Sequence, residues 1–271
     1  MFPMNEEIRL RRAATFDQVA ELYDSARREL PGRLFDRIFE QAGMEPSRTR
    51  VLEVGCGTGQ ATLPLARRGC NVVAVEIGEN LAGIARRKTA AFPNVQIVHG
   101  RFEDFQPEVT GFDLVLAVTS WHWIDPNVRY SKAAEVLRPG GVLAFTSGGH
   151  VFPADADPLF AQIHACYEAV GIARMDWPPP GPENMQDSSE EIRRSGHFEN
   201  PSVTRDVAAV EFTAEQYVSL MSTASDHRLM EPEKREWLLA EMRRIINSRP
   251  GGRILRHSLT MLHMARKPSG V

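Results

Sequence analysis

The sequence lacks most features that would commit it to an unusual environment. Its three cysteines, Cys56, Cys70 and Cys166, are odd in number and without metal-type spacing, so neither a disulfide framework nor a metal site is expected. No apolar run reaches the length of a membrane span, and "MFPMNEEIRLRR" has no apolar signal core, so a reduced, cytoplasmic setting is expected. Positive charge is not in excess: 32 Lys and Arg stand against 35 Asp and Glu, a net charge of -3. That balance offers no electrostatic footprint for nucleic acid or an anionic membrane. There is no internal repeat, low-complexity tract or clear linker. Proline clusters once, in "DWPPPGPEN" (176–184), which excludes regular structure there.

What is present is ordinary in bulk and informative in pattern. With 271 residues, 42% hydrophobic and 25% charged, the chain suits one large domain, or one domain with a substantial insertion. Short runs rich in Val, Ile or Leu recur: "RVLEVG" (50–55), "NVVAVEI" (71–77), "NVQIVHG" (94–100), "FDLVLAVTS" (112–120) and "GVLAFTS" (141–147). Such near-continuous apolar strands suit a parallel sheet covered on both faces. Between them "ATLPLARRG", "NLAGIARRKTAAF" and "RYSKAAEVLRPGG" carry helical spacing, the last ending in a strong stop. The alternation predicts a doubly wound α/β sheet with right-handed crossovers. Before residue 50 the chain reads as helix, with Phe16, Val19, Ala20 and Tyr23 on one stripe. Beyond residue 150, helices are expected over 156–172 and 188–198, strands over 202–212 and 256–267, and two helices within 213–248. The first of that pair opens on "TAEQ", a capping-box pattern.

The stretch with the sharpest chemistry is "VLEVGCGTGQ" (51–60). In a doubly wound sheet, ligands lie at the carboxyl ends of the strands, and Gly55, Gly57 and Gly59 occupy the first strand–helix turn there. Glycine permits positive φ and lets a ligand lie against the backbone. The spacing is G-x-G-x-G rather than the G-x-G-x-x-G of dinucleotide sites, and a tight turn with no ligand is the alternative. Glu53, two residues before Gly55, would repel a pyrophosphate and favour a ligand carrying a positive group, unless it is only a solvated or capping charge. Glu76 ends the second strand, where a carboxylate can accept hydrogen bonds from both ribose hydroxyls, the alternative being a plain surface charge.

"VLEVGCGTG" with Glu76 downstream resembles the first two motifs of class I S-adenosylmethionine-dependent methyltransferases. The resemblance continues through "HGRFEDF" (99–105), "FDLVLAVTSWHWIDP" (112–126) and "EVLRPGGVLAF" (135–145). The segment "FDQVAELYDSARRELPGRLFD" is similar to the N-terminal helix of a small-molecule subgroup near the type 11 and trans-aconitate methyltransferase-like enzymes. The resemblance implies a Rossmann-like seven-stranded sheet, mostly parallel with one antiparallel strand, and helical insertions after strands five and six. It implies S-adenosyl-L-methionine as cofactor and S-adenosyl-L-homocysteine as product. Glu53 would hold the methionine amino group, Gly55, Cys56, Gly57 and Gly59 would form the loop beneath it, and Glu76 would clamp the ribose. Ile77 and Phe102 would meet the adenine, the carbonyl near Val118 the amino group, and Tyr23 and Arg27 the methionine carboxylate. Arg101 departs from the pattern, because many relatives have an acid there for the adenine amino group; either the contact is lost here, or Glu103 or Asp104 provides it.

The implied organisation is an N-terminal helical segment (1–49) closing over the cofactor, a binding core (50–147), substrate-cap helices (148–200 and 213–250), and two last strands (201–212 and 253–267). Trp121, His122 and Trp123 follow strand four beside the expected methyl position. The two tryptophans can line the acceptor pocket, and His122 can be a general base, an orienting donor or a packed wall. His150, past strand five, is a second candidate base. Arg174, Arg228 and Arg253 are candidate contacts for an acidic substrate; Phe152, Met175, Trp177 and Met185 are candidate contacts for an apolar one. A small-molecule acceptor is expected, methylated on oxygen or nitrogen rather than carbon. Two alternatives stand beside this: an NAD(P)-dependent oxidoreductase, and a non-catalytic S-adenosylmethionine-binding protein. None of the four tyrosines is followed by lysine four residues on, as the common short-chain oxidoreductases require.

Overall fold

The computed structural model describes residues 6–108, 110–172 and 177–270. Two of the candidates above, Arg174 and Met175, lie outside the described residues. Three helices lead the chain: α1 (Glu6–Asp17), α2 (Ala20–Ala26) and α3 (Gly32–Ala42). Strand and helix then alternate through β1 (Arg50–Val54), α4 (Thr62–Arg67), β2 (Asn71–Glu76), α5 (Glu79–Thr89), β3 (Val95–His99), β4 (Phe112–Val118), α6 (Arg129–Val136) and β5 (Leu137–His150). The remainder is α7 (Leu159–Ala169), α8 (Ser189–Ser195), β6 (Glu199–Thr213), α9 (Ala214–Ser222), α10 (Ser225–Arg228), α11 (Pro232–Asn247) and β7 (Arg253–Arg266). No helix among the described residues is long and apolar enough to cross a membrane.

One seven-stranded sheet runs in the order β3-β2-β1-β4-β5-β7-β6. β7 pairs antiparallel with both β5 and β6, so it alone opposes the other strands, as expected. Val51, Leu114, Val142 and Leu262 join Phe35, Ile38 and Leu65 of α3 and α4 in a core on one face of the sheet. Leu52, Val115, Leu143 and Phe145 meet Tyr130 and Ala133 of α6 and Ile192 of α8 on the other. Burial on both faces is why these strands read as continuous apolar runs rather than alternating ones.

Several boundaries differ from expectation. β5 runs past residue 147 to His150, because Ser147, Gly148, Gly149 and His150 pair with β7. Residues 213–248 hold three helices rather than two, since α10 is a separate turn between α9 and α11. The expected capping box is present at α9. Thr213 Oγ1 accepts the Gln216 amide (3.2 Å) and Gln216 Oε1 accepts the Thr213 amide (3.0 Å). Gly196 closes α8 in the left-handed conformation. The helices α7, α9 and α11 share a core of their own, with Phe160, Ile163, Tyr217, Leu238 and Ile245 buried together. α8 instead packs beside α6 and β6, on the sheet.

Candidate functional site

A cavity of about 470 Å³ opens at the carboxyl ends of the strands. Its floor is laid by the first crossover. Val54 and Gly55 end β1, and the Gly55 amide donates to the Val75 carbonyl at 2.8 Å, fixing the loop against β2. Gly55, Gly57 and Gly59 all have positive φ (68°, 58° and 87°), the region that favours glycine. Gly55 has a second reason to be bare, since a Cβ there would sit 2.6 Å from Ser120 Cβ. Ser120 donates its hydroxyl to the Val54 carbonyl, so the ends of β1 and β4 are locked together beneath the cavity. Thr119, between Val118 and Ser120, holds a φ of 55° while its amide donates to Thr146 Oγ1 at 2.9 Å. A non-glycine residue in that region costs on the order of 1 kcal/mol or more and clusters at functional sites.

Glu76 is the centre of charge. Its Oε2 accepts the Gly57 amide at 2.8 Å and its Oε1 accepts the Gly78 amide at 2.9 Å, so the carboxylate is anchored at both oxygens and lines the cavity. Burial raises its pKa, against the opposing pull of those two amides. Each carboxylate oxygen has a second lone pair, and that is the acceptor capacity a pair of vicinal hydroxyls requires. Ile77, Gly100 and Phe102 line the same end.

α1 and α2 form the opposite wall through Leu10, Ala13, Phe16, Tyr23 and Arg27. Tyr23 meets Phe16 edge-on at 5.6 Å, and the Arg27 guanidinium lies 4.8 Å from the Tyr23 ring centroid. Arg9 pins α1 in place: only 2% exposed, it lies 3.5 Å from Glu103 and 3.8 Å from Asp125. Arg101 pairs with Glu6 at 2.9 Å and reaches Glu103 and Asp104 at 3.8 and 3.7 Å. Glu103 lines the cavity but is already engaged by Arg9, Arg101 and the Asp125 amide. Asp104 is mostly exposed, beside Arg101.

His122 and Trp123 line the cavity within a tight 3-10 turn over Trp121–Trp123. His122 is exposed by surface area, yet desolvation by the groups packed around its ring, with some help from Arg129, lowers its pKa to about 4, so its imidazole is neutral at neutral pH. Trp121 faces the core, stacked on Phe145 at 5.1 Å and edge-on to Tyr130. His150 packs between Phe152 and Phe160, outside the lining.

Of the residues singled out from sequence, the cavity gathers Tyr23, Arg27, Gly55, Gly57, Glu76, Ile77, Phe102, Glu103, Val118, His122 and Trp123. Glu53, Cys56, Gly59, Trp121 and His150 lie outside its lining. No described residue between 150 and 255 lines it either. Phe152 joins the α7–α9–α11 core and Trp177 stacks on His164 at 4.4 Å. Met185 packs against Val151 and Leu259, and Arg253 reaches Glu211 at 3.6 Å. The cavity is completed instead by Ser147, Gly148 and Gly149 of β5 and by Arg256, Ser258, Leu259 and Thr260 of β7.

Glu53 is buried one layer behind the loop, where Thr62 Oγ1 donates to its Oε2 at 2.7 Å. Burial pushes its pKa up from 4.5 to about 8, against the Thr62 hydrogen bond and with some help from Glu76. A carboxyl raised on folding holds its proton longer in the folded state, so its burial costs nothing below the unfolded value. The cost grows as pH rises from 4.5 towards 8. Glu53→Gln is therefore expected to stabilise the fold by roughly 2–4 kcal/mol at pH 8 and by almost nothing at pH 4. Urea unfolding at the two pH values measures the difference; an equal effect at both would show that Glu53 does not titrate in this way.

A family model described as a methyltransferase domain matches residues 51–141, from β1 to the start of the β5 apolar run. Residues 51–141 therefore resemble a methyltransferase domain. An uncharacterized methyltransferase of Mycobacterium tuberculosis is 33% identical over 161 residues, covering 55% of this chain and 63% of its own length. A malonyl-[acyl-carrier protein] O-methyltransferase of Halalkalibacterium halodurans is 26% identical over 144 residues, 49% of this chain and 53% of its own. The chain thus spans between half and two thirds of these curated relatives. A solved structure provisionally assigned as a type II methyltransferase, from Anaeromyxobacter dehalogenans, superposes with a TM-score of 0.61 at 23% identity. It covers 89% of this chain and 99% of that one, and shows the shared fold of the methyltransferase domain and its flanking elements.

Proposed function

We propose that this chain is an S-adenosylmethionine-dependent methyltransferase acting on an oxygen or nitrogen of a small-molecule acceptor. The observation that carries the reading is Glu76: a buried carboxylate, anchored at both oxygens by backbone amides, at the end of β2 in the main cavity. When bound, S-adenosylmethionine supplies an activated methyl group on a sulfonium, so the protein need only position an acceptor and exclude water.

Glu76 accepts the ribose hydroxyls, and the apolar faces of Ile77 and Phe102 receive the adenine. The Arg27 guanidinium, held over Tyr23, pairs with the methionine carboxylate. The helices α1 and α2 cover the nucleoside, with Arg9 and Arg101 anchoring α1 to the loop after β3. The bare backbone at Gly55 and Gly57 lets the ligand approach the first crossover. His122 and Trp123 wall the reacting end. With its pKa lowered to about 4, His122 is a weak base; it orients and excludes water. A cavity of this size suits a nucleoside cofactor with a small acceptor.

Incubation with methyl-labelled S-adenosylmethionine and a panel of small carboxylates, phenols and amines tests the proposal. Labelled product with at least one acceptor is expected. Tight cofactor binding without transfer to any of them would favour a non-catalytic binding protein.

A further inference from the structure

The described residues between 150 and 255 add nothing to the cavity lining, yet one of them reaches the cavity wall at second hand. α8 is a fixed point on the sheet. Ile192 is fully buried with Tyr130 and Ala133 of α6, and the Ser188 amide at the helix start donates to His263 Nε2 of β7 at 3.1 Å. From there the Glu191 carboxylate accepts a hydrogen bond from Arg129 Nη2. Arg129 opens α6, and its Nη1 donates to the Trp121 carbonyl at 3.2 Å. Trp121 begins the tight turn whose next two residues, His122 and Trp123, line the cavity.

The arrangement calls for arginine. One planar fork reaches a carboxylate on a helix and a carbonyl on a turn at once, while the guanidinium lies over the Tyr130 and Trp121 rings, 5.3 and 5.8 Å from their centroids. The Arg129 side chain is 12% exposed and that of Glu191 42%, so a largely desolvated cation depends on an anion at the surface. Without that anion the guanidinium is left uncompensated and gains by turning out to water. The Trp121 carbonyl then keeps its partner within the turn, the Ile124 amide at 3.3 Å, and loses the other. Ser120 and Asp125 tie the two ends of this segment to Val54 and Glu103, and the Trp121 ring is stacked on Phe145. Arg129 ties down the main chain between them.

We propose that Arg129, gripped by Glu191, is a positioning residue for the reacting end: it sets where His122 and Trp123 stand, so that α8 acts on the cavity without touching it. The inference rests on the cofactor reading above, which makes this the reacting end, and adds a control on that site from outside the cavity. Transfer to the methyl carbon requires the acceptor in line with the departing sulfur, and a wall displaced by about 1 Å is enough to spoil that alignment. The Arg129 charge has a second effect on the same wall, since it opposes protonation of the His122 imidazole. The other charged groups about the turn are Arg9, Arg101, Glu103 and Asp125 on the α1 side and Glu191 on the α8 side.

Nuclear magnetic resonance on the protein saturated with S-adenosylhomocysteine tests this. It reads the Trp123 indole and the His122 imidazole, assigned with Trp123→Phe and His122→Gln, and the indoles of Trp177 and Trp237 as references outside the cavity. Arg129→Met and Glu191→Ala are both expected to shift the Trp123 and His122 signals and leave the references in place, with S-adenosylhomocysteine affinity within about threefold of wild type. Arg129→Met is expected to raise the pH midpoint of His122 by about 0.5 or more. Arg129→Lys keeps the charge without the fork, so the midpoint stays near wild type while the Trp123 signal still moves. Thermal unfolding confirms that each variant is folded where it is measured, and Glu191→Ala, at a half-exposed position, serves if Arg129→Met does not fold. Failure of S-adenosylhomocysteine to bind wild type would defeat the cofactor reading itself. Normal cofactor binding, with Trp123 and His122 unmoved in a folded variant or with shifts spread equally over all the indoles, would overturn the positioning role alone.

Discussion

Glu76→Ala is expected to weaken binding of S-adenosylhomocysteine by roughly 1–3 kcal/mol, the worth of the charged hydrogen bonds to the ribose that the proposed function assigns to it. The residue has a second duty that sets how this is measured. Its two oxygens accept the Gly57 and Gly78 amides, and removing them leaves two backbone donors without that partner. The variant is therefore also less stable, by about 1–3 kcal/mol for each amide that water does not reach. Affinity is compared well below the melting temperature of the variant, so that both proteins are folded during the titration. Glu76→Gln provides the finer contrast. It keeps one acceptor oxygen, and it is expected to lose less affinity than alanine but more than a neutral surface change. Unchanged affinity in both variants would remove Glu76 from the ribose site.

Gly148→Ala gives the largest stability effect. Gly148 has a φ of 129°, and a Cβ there would overlap the Leu259 carbonyl oxygen and lie 2.9 Å from its carbon. These are backbone atoms of the paired strand, where Gly148 stands opposite Thr260, so relief requires β5 and β7 to separate at the cavity. A loss of roughly 3 kcal/mol or more is expected, a fall in melting temperature of about 6–12 °C for a chain of this size. Gly149→Ala is the control. A Cβ added at Gly149 meets nothing within 4 Å, and its φ is not in the left-handed region, so a change under about 1 kcal/mol is expected. Equal tolerance of both substitutions would show that the two strands are not packed this closely.

Much of this arrangement was legible in the sequence, and for identifiable reasons. Strands buried on both faces announce themselves as apolar runs, so β1 to β4 fell close to "RVLEVG" to "FDLVLAVTS", β5 contains "GVLAFTS" but extends beyond it at both ends, and the Thr-x-x-Gln signature marked the start of α9. Glu76 was legible because a carboxylate ending a strand that follows a glycine-rich turn has few other uses. The rest depended on pairing across long separations. Ser120 bonding to Val54 and Thr119 at positive φ are set by where β4 docks on β1, which no local pattern encodes. Nothing local in "EEIRLRR" marks Arg9, whose burial against Glu103 and Asp125 depends on where α1 docks. The later helices α7, α9 and α11 pack on one another, and the candidate substrate residues Phe152, Trp177 and Met185 in the segments around them fall outside the cavity lining. Arg256, not Arg253, lines the cavity, and a signal for this is present in "RHSLT", where Arg256, Ser258 and Thr260 recur with the period of a strand.

The most direct test is an equilibrium titration of the protein with S-adenosylmethionine, S-adenosylhomocysteine and NAD, each alone and in competition. Saturable one-site binding of the first two, mutually exclusive and unaffected by millimolar NAD, is the predicted result. Binding of NAD in their place, or no binding of either sulfur nucleoside at millimolar concentration, would contradict it.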